Sequence, residues 1–193
     1  MDSLLEHAGS ALAIIATALF TGMRVMEVLW LVWGDIDFSE GLMRVRFQLS
    51  RQGKRVALKT KAAKRDIVLM EALGKLLRRC RLTEPFSTDT DFVFQSSTPR
   101  QPMTYKGLLK LFHDARDGAN LKDVTFHALR HTFASILIAQ GRDVRFVSRQ
   151  LGHSKTSTTW DTYVHLFEAQ RHAQDARDQL DAEYGEMLGG ADA

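Results

Sequence analysis

Hydrophobic residues recur at intervals of three and four along most of the chain, which is the spacing of one helical face. Thr21 and Gly22 separate the first two apolar-rich segments, and Gly141 and Gly152 close two later ones. Thr125 precedes an apolar run and is a suitable helix cap. The pattern predicts helices over 3–20, 23–33, 71–82, 104–118, 127–140, 143–150 and 167–188.

Three other segments alternate apolar and polar residues, which predicts strands. Gln52-Gly53 forms a turn sequence between the first two segments, and KTKAAK, residues 59–64, forms one between the last two. The predicted strands cover 42–49, 54–59 and 65–70, with a further short strand at 92–94. The sequence therefore predicts an α+β domain, mainly α with a small antiparallel three-stranded β-sheet arranged as a meander.

The chain has 193 residues, of which 45% are hydrophobic and 25% charged, and this fits one globular domain. Its single cysteine, Cys80, excludes an intramolecular disulfide and favours a reducing compartment. The first residues lack the basic segment of a signal peptide. The longest uncharged run, 8–23, is short for a bilayer span and predicts a buried helix. We therefore expect a cytoplasmic protein with no membrane association.

The net charge of +3 conceals a strong segregation of charge. Residues 44–81 hold thirteen basic and two acidic residues, whereas residues 1–43 hold one basic and six acidic residues. A basic block of this density indicates a polyanionic partner. The alternative is an ordinary solvated surface that binds nothing.

The first candidate motif is TGMRVMEVLWL, which places Arg24 and Glu27 three residues apart in apolar surroundings. One interpretation is an ordinary ion pair along a helix, which contributes little to stability. The other interpretation is a guanidinium that Glu27 holds rigidly toward a cleft. Both can describe the same arrangement.

The second candidate motif is HALRHTFAS, residues 127–135. His127 and Arg130 share one helical face, because positions three apart are neighbours there. His127 and His131 are four apart, which permits a zinc site. However, the metalloprotease pattern requires Glu where Ala128 stands, and no third ligand is evident. We expect no metal, and we expect His131 to support the helix from behind.

The third candidate motif is LGHSKTSTTWDTYVH, which contains His153 and Tyr163. Arginines, a lysine and a tyrosine together suit the cleavage of a phosphodiester. Guanidinium groups bind two phosphate oxygens in one plane and neutralise the transition state. A lysine can protonate the leaving oxygen, and a tyrosine can form a covalent phosphoester. Such chemistry requires no metal.

These motifs, in this order, resemble those of the tyrosine recombinases, the phage integrase family, from about Leu12 to Leu166. The resemblance implies the tyrosine-recombinase catalytic-domain fold. It also implies metal- and ATP-independent cleavage and rejoining of DNA through a 3′-phosphotyrosyl intermediate, without a cofactor.

The resemblance assigns roles residue by residue. Arg24 and Arg130 correspond to the two arginines that clamp the scissile phosphate. His127 corresponds to the histidine that helps to deprotonate the nucleophile, and His153 to a second histidine that contacts the phosphate. Tyr163 corresponds to the nucleophile.

The remaining assignments concern the supporting and basic positions. Glu27 corresponds to an acidic residue that supports the first arginine. Lys59 fits the hairpin lysine that acts as general acid, although Lys61 and Lys64 lie on the same predicted tip and are alternatives. Further DNA contacts are expected from basic residues of the strand region: Arg44, Arg46, Arg51, Lys54, Arg55, Lys61, Lys64 and Arg65.

The resemblance also implies a domain organisation. Residues 1–166 are expected to form the catalytic domain, and 167–193 a helical tail that docks on a neighbouring protomer or folds back on its own domain. Few residues precede Arg24, so the N-terminal DNA-clamping domain of the family is expected to be absent.

The expected function is that of a site-specific recombinase or integrase of a phage or integrative element. We expect it to act on double-stranded DNA in the bacterial nucleoid, as a tetramer in the synapse and a monomer in isolation. Two alternatives remain open: DNA relaxation like that of a type IB topoisomerase, and a DNA-binding relic that no longer cleaves. All the matched catalytic positions are filled, which argues against a relic.

Overall fold

The computed structural model describes residues 1–50 and 54–189, with the side chains of 173–174 and 184–189 excepted. Its helices are α1 (Asp2–Glu6), α2 (Leu12–Thr21), α3 (Val25–Val28), α4 (Glu71–Thr83), α5 (Tyr105–Gly118), α6 (Phe126–Ala139), α7 (Val144–Leu151) and α8 (Thr156–Gly189). Its strands are β1 (Ile36–Asp37), β2 (Leu42–Val45), β3 (Phe47–Leu49), β4 (Arg55–Ala57) and β5 (Arg65–Val68). Arg51 and the predicted turn at Gln52-Gly53 lie outside the described residues.

The ends of the helices follow from local side-chain chemistry. Thr125 caps α6 by accepting a hydrogen bond from the backbone N–H of Ala128, as the sequence predicts. Asp143 caps α7 in the same way. Gly22 and Gly152 end α2 and α7 in the left-handed conformation, with φ of 61° and 68°.

The helix predicted over 23–33 is wrong for most of its length, because α3 spans only Val25–Val28. Beyond it, Val32 bridges to Phe92, and this bridge takes the place of the strand predicted at 92–94. Trp33 then begins a short 3₁₀ turn and is fully buried. This segment is apolar because it is buried on all sides. A continuously apolar segment has no periodicity that distinguishes a helix from other structure.

The predicted three-stranded meander is also wrong in its strand order. One sheet has the order β1-β2-β5, and β3 pairs with β4 in a separate antiparallel hairpin. The predicted strand 42–49 breaks at Arg46, whose guanidinium bonds to the Arg65 carbonyl and the Asp66 carboxylate. The fold class is nevertheless confirmed, since the chain is mainly helical with a small antiparallel three-stranded sheet.

The hydrophobic core consists of two clusters of buried residues. The larger cluster surrounds α2, the sheet, α4 and α5, and includes the fully buried Trp33, Met43 and Phe112. The smaller cluster lies between α6, α7 and α8: Phe133, Ala134, Ile138, Val147, Leu151 and Tyr163. The candidate nucleophile is therefore part of the packing that joins these three helices.

The predicted tail helix is the second half of α8, which runs without a break from Thr156. Its first half packs on α6 and α7, whereas the side chains of 175–183 are exposed. Leu180, on the predicted apolar stripe, is 59% exposed. The side chains of Ala173, Tyr184 and Met187 on that stripe lie outside the described residues. No helix in the described part of the chain combines the length and apolar character needed to cross a bilayer.

Candidate active site

Arg24 precedes α3 and is held by Glu27, three residues later. Its backbone N–H donates to a Glu27 carboxylate oxygen at 2.8 Å, and its Nη1 donates to the other oxygen at 3.0 Å. The Arg24 side chain remains 38% exposed. Glu27 thus fixes the guanidinium as the sequence predicts, while part of it stays open to an anion.

Glu27 is buried and binds a second arginine from β5. Arg65 Nη2 and Nη1 donate to its two carboxylate oxygens at 2.9 and 3.2 Å. Burial raises the pKa of Glu27, but the hydrogen bonds and charges of Arg65 and Arg24 outweigh this effect and leave the pKa below its ordinary value. Arg65, expected at the DNA-contacting surface, lies in the interior instead, because the buried carboxylate requires a buried counter-charge.

The C-terminal end of α7 organises all three arginines. The last carbonyls of a helix lack intrahelical partners and carry the negative end of its dipole. Three consecutive carbonyls each accept a hydrogen bond from a different arginine: Gln150 from Arg65 at 2.6 Å, Leu151 from Arg130 at 2.6 Å and Gly152 from Arg24 at 3.2 Å. One helix end therefore sets the positions of guanidinium groups that come from three separate elements.

Gly152 is required at this helix end for two reasons. Its φ of +68° lies in the left-handed region. A Cβ atom there would also lie 3.0 Å from Arg65 Nη1 and 3.2 Å from the Ala62 carbonyl oxygen. A side chain at this position would therefore disturb the arginine cluster directly.

Arg130 lies on α6, with 5% of its surface exposed. Its Nη1 donates to the carbonyl of Gly22, in the turn that ends α2. Burial, followed by repulsion from Arg24 and Arg65, lowers the pKa of Arg130 to about 9. Arg130 therefore remains a cation at neutral pH, in a fixed position.

His153 follows α7 and is anchored to the first turns of α8. Its Nδ1 lies 2.8 Å from the hydroxyl of the fully buried Thr159. Burial, and then the positive charges of Arg130, Arg24 and Arg65, lower the pKa of His153 to about 4. The imidazole is consequently uncharged at neutral pH and can act as a hydrogen-bonding group.

Several of the predicted catalytic residues line one open cleft. Arg24, Lys59 and His153 share its wall, together with Gly152, around a volume of about 370 Å³. Lys61 and Lys64, the alternatives to Lys59, are exposed and are not among the described residues that line the cleft. Of these three lysines, Lys59 is therefore the one that lines the cleft together with Arg24.

Tyr163 lies on α8 and is 5% exposed. Its ring belongs to the smaller hydrophobic cluster, packed with residues of α6 and α7. Burial raises the pKa of the phenol, and the charge of Arg130 acts in the opposite direction. The nucleophile candidate is thus a protonated, buried tyrosine within the electrostatic influence of one phosphate-clamp candidate.

The hydroxyl of Tyr163 bonds to His131, a residue to which the sequence assigned no part in the site. His131 Nδ1 lies 2.8 Å from Tyr163 Oη. The expectation that His131 supports α6 from behind is therefore wrong. His127 lies one turn earlier, with its ring centroid 4.8 Å from that of His131. The four-residue spacing could indicate that both histidines share a helical face, but not which of them forms the hydrogen bond with Tyr163.

The predicted DNA contacts divide into paired and unpaired cations. Three arginines of the strand region each pair with an aspartate: Arg44 with Asp37, Arg46 with Asp66 and Arg55 with Asp35. Lys54, Lys61 and Lys64 are exposed and form no ion pair with a described residue. These lysines are the cations available to a polyanion without breaking an existing contact.

The arrangement as a whole provides the groups that phosphoryl transfer needs. Fixed guanidinium groups offer charge for an oxyanion, Lys59 offers a proton, and Tyr163 offers a nucleophile. Among the described residues, no group of three or more His, Cys, Asp and Glu side chains is placed to hold a metal ion.

Comparison with known proteins gives consistent matches along nearly the whole chain. The model of the phage integrase family matches residues 2–170. The tyrosine recombinase XerC of Oceanobacillus iheyensis is 35% identical over 147 residues, which are 76% of this chain and 46% of that protein. The integrase of Staphylococcus phage L54a is 28% identical over 162 residues, covering 77% of this chain and 46% of that protein. The chain thus spans about half the length of the curated relatives it matches.

Solved structures show the same fold. The XerA recombinase superposes with a TM-score of 0.72 and 27% identity, over 92% of this chain and 60% of that one. The Tn1549 transposon integrase, in complex with transposon right-end DNA, superposes with a TM-score of 0.75 and 24% identity, over 91% of this chain and 63% of that one. The expected catalytic-domain fold is confirmed, and the chain belongs to the phage integrase family.

Proposed function

We propose that this chain is the catalytic domain of a site-specific recombinase that breaks and rejoins DNA strands for a mobile element. The observation that carries the proposal is the cluster of Arg24, Arg130 and His153 around the end of α7, with Tyr163 held on the adjoining helix. The relatives named integrase and tyrosine recombinase support this assignment. The active site acts without metal or ATP, because fixed arginines supply the positive charge and a tyrosyl ester conserves the bond energy.

Double-stranded DNA is the proposed substrate. The Tn1549 integrase is seen in complex with transposon DNA. In this chain, Lys54 between β3 and β4 and Lys61 and Lys64 between β4 and β5 offer exposed positive charge. Contacts of that kind position a duplex through its phosphates and carry little sequence information. The domain therefore holds DNA mainly by charge, and it acts where chromosomal DNA lies, in the bacterial nucleoid.

The placement of these groups supports the following cleavage step. Arg24 and Arg130 bind the non-bridging oxygens of the scissile phosphate, and His153 donates a hydrogen bond to it. Tyr163 Oη attacks phosphorus, so that a 3′-phosphotyrosyl bond forms and the bond to the 5′ oxygen breaks. Lys59 donates a proton to that departing oxygen. Rejoining reverses each of these steps.

The test is covalent trapping on a nicked duplex that carries the attachment site of the encoding element. A short 5′ fragment diffuses away after cleavage, so the adduct accumulates and is counted on a denaturing gel. Wild-type protein forms the adduct, Tyr163→Phe forms none, and Tyr105→Phe, the matched control, behaves as wild type. Relaxation of a supercoiled plasmid without attachment sites would favour a topoisomerase, and failure of all adduct formation would favour a DNA-binding relic.

The outer half of α8 supports a further part of the proposal, which concerns assembly. We propose that the tail docks on a neighbouring protomer when the chain assembles into a tetramer on DNA, and that the chain is a monomer in isolation. The exposure of residues 175–183 supports this, because an exposed Leu180 gains from being covered. Truncation after Gln170 keeps the contacts of Phe167 with the core. The truncated protein should cleave a single site normally but form weaker complexes between paired sites. Paired-site complexes of unchanged stability would contradict docking.

A further inference from the structure

The nucleophile candidate is held by one histidine of a pair. His127 and His131 lie one helical turn apart on α6, with ring planes at 86°. Tyr163 Oη is hydrogen-bonded to His131, whose Nδ1 lies 2.8 Å away. The residue in contact with the reacting oxygen is therefore not the one that the motif assigns to deprotonation.

Tyr163 needs a proton acceptor at this position. The residue is 5% exposed, and burial raises the pKa of its phenol. Near neutral pH the hydroxyl is therefore protonated, and water has little access to it. A general base must lie within hydrogen-bond reach of the proton that it removes. Among the described residues, His131 is the ionisable side chain that makes a hydrogen bond to this hydroxyl.

We propose that His131 is a catalytic residue that accepts the proton of Tyr163 during cleavage and returns it during rejoining. This inference rests on the proposed function. In cleavage, the Oη–H proton passes to the unprotonated Nδ1 of His131 while the Oη–P bond forms. The bond from phosphorus to the 5′ oxygen breaks at the same time, and Lys59 supplies the proton that this oxygen takes. In rejoining, the protonated His131 gives its proton back to the departing phenolate.

The neighbouring charges determine how a pH profile must be interpreted. Two neighbours face His131: Tyr163 on α8 and His127 on α6, the helix that also carries His131. His153, between α7 and α8, senses the charge of His131, and Arg130 on α6 acts electrostatically on Tyr163. A wild-type profile alone therefore mixes several titrations, and variants of His131 are needed to separate its contribution.

The experiment measures single-turnover adduct formation on the nicked duplex between pH 5.5 and 9. His131→Gln keeps a hydrogen-bonding side chain but cannot accept a proton, so its rate at pH 7 should fall by about 10²–10⁴-fold. His113→Gln, an exposed histidine of α5, is the matched control and should leave the rate unchanged. The loss should shrink toward pH 9, because the ionised fraction of the phenol, although small, grows with pH and needs no base. For His131→Ala, added imidazole should restore part of the rate, and a misfolded variant would not respond in this way.

Three outcomes would overturn the inference. Wild-type rates for His131→Gln, in a preparation where wild-type protein forms the adduct, would overturn this inference and leave the proposed function standing. A selective loss in His127→Gln, with His131→Gln unaffected, would transfer the role to His127. Absence of any wild-type adduct would overturn the proposed function and this inference together.

Discussion

Replacing Glu27 with Gln should destabilise the protein more than any ordinary change of a single surface charge. Glu27 accepts four hydrogen bonds, two from Arg24 and two from Arg65. A glutamine of the same shape keeps one acceptor oxygen and places an N–H₂ group against arginine donors. The change also leaves Arg65, whose side chain is 2% exposed, without its counter-charge.

The expected magnitude follows from the burial of this ion pair. Removing one partner of a buried pair costs about 3–5 kcal/mol, because the other charge stays buried and uncompensated. Domains of this size lose about 2–4 °C in Tm per kcal/mol, so the midpoint should fall by about 6–20 °C. Arg24 loses its anchor in the same variant, and cleavage should slow as well.

The assay is urea unfolding of Glu27→Gln beside a matched control. Glu71→Gln makes the same substitution in an exposed pair on α4, where Lys75 lies 2.7 Å away and both side chains are mostly exposed. The control substitution should lower the free energy of unfolding by about 1 kcal/mol or less. Equal losses in the two variants would refute the reasoning, because burial would then contribute nothing. In a double-mutant cycle with Arg65→Gln, the two losses should be clearly less than additive.

Three further predictions concern the site. Gly152→Ala should lower the free energy of unfolding by about 1–3 kcal/mol because of the left-handed backbone, and it should slow cleavage because the new Cβ displaces Arg65. Urea unfolding and adduct formation measure the two effects, and unchanged values would contradict the crowding at the end of α7. Lys59→Ala should cleave an ordinary phosphodiester slowly but a 5′-bridging phosphorothiolate at nearly wild-type rate, because sulfur departs without a proton; rescue of a Lys61 variant alone would move the role along the hairpin. The pKa of His153 is lowered from about 6.5 to about 4, so the unfolded chain binds the extra proton first as pH falls. Its contribution to stability is full above pH 6.5 and is lost toward pH 4, and His153→Gln should flatten the urea-derived stability profile over that window.

The sequence carries the parts of the site that local chemistry determines. Thr125 is a recognisable helix cap, and Gly152 is a recognisable helix end. Asp143 is predicted as the first residue of a helix, one position from its actual place as the cap of α7. Arg24 and Glu27 are only three residues apart, and they meet at the start of α3, where the Glu27 carboxylate accepts from the backbone N–H and the guanidinium of Arg24. A contact this local could be predicted before any packing was known. The mainly helical class follows from periodicity in the same way.

The remaining features depend on contacts between distant parts of the chain. β1 has only two residues, too few to alternate visibly, so the order of the sheet was not predictable. Arg65 is buried because Glu27, thirty-eight positions earlier, needs its charge. The choice of His131 over His127 depends on how α8 packs against α6, which the spacing within α6 does not specify.

The most direct test of the account is to identify the amino acid that carries the DNA. The adduct trapped on the nicked duplex is digested with trypsin and nuclease, and the modified peptide is sequenced by mass spectrometry. The account predicts a phosphodeoxynucleotide on Tyr163, within the α8 peptide that follows His153. A modification on Tyr105 or Tyr184 would contradict it.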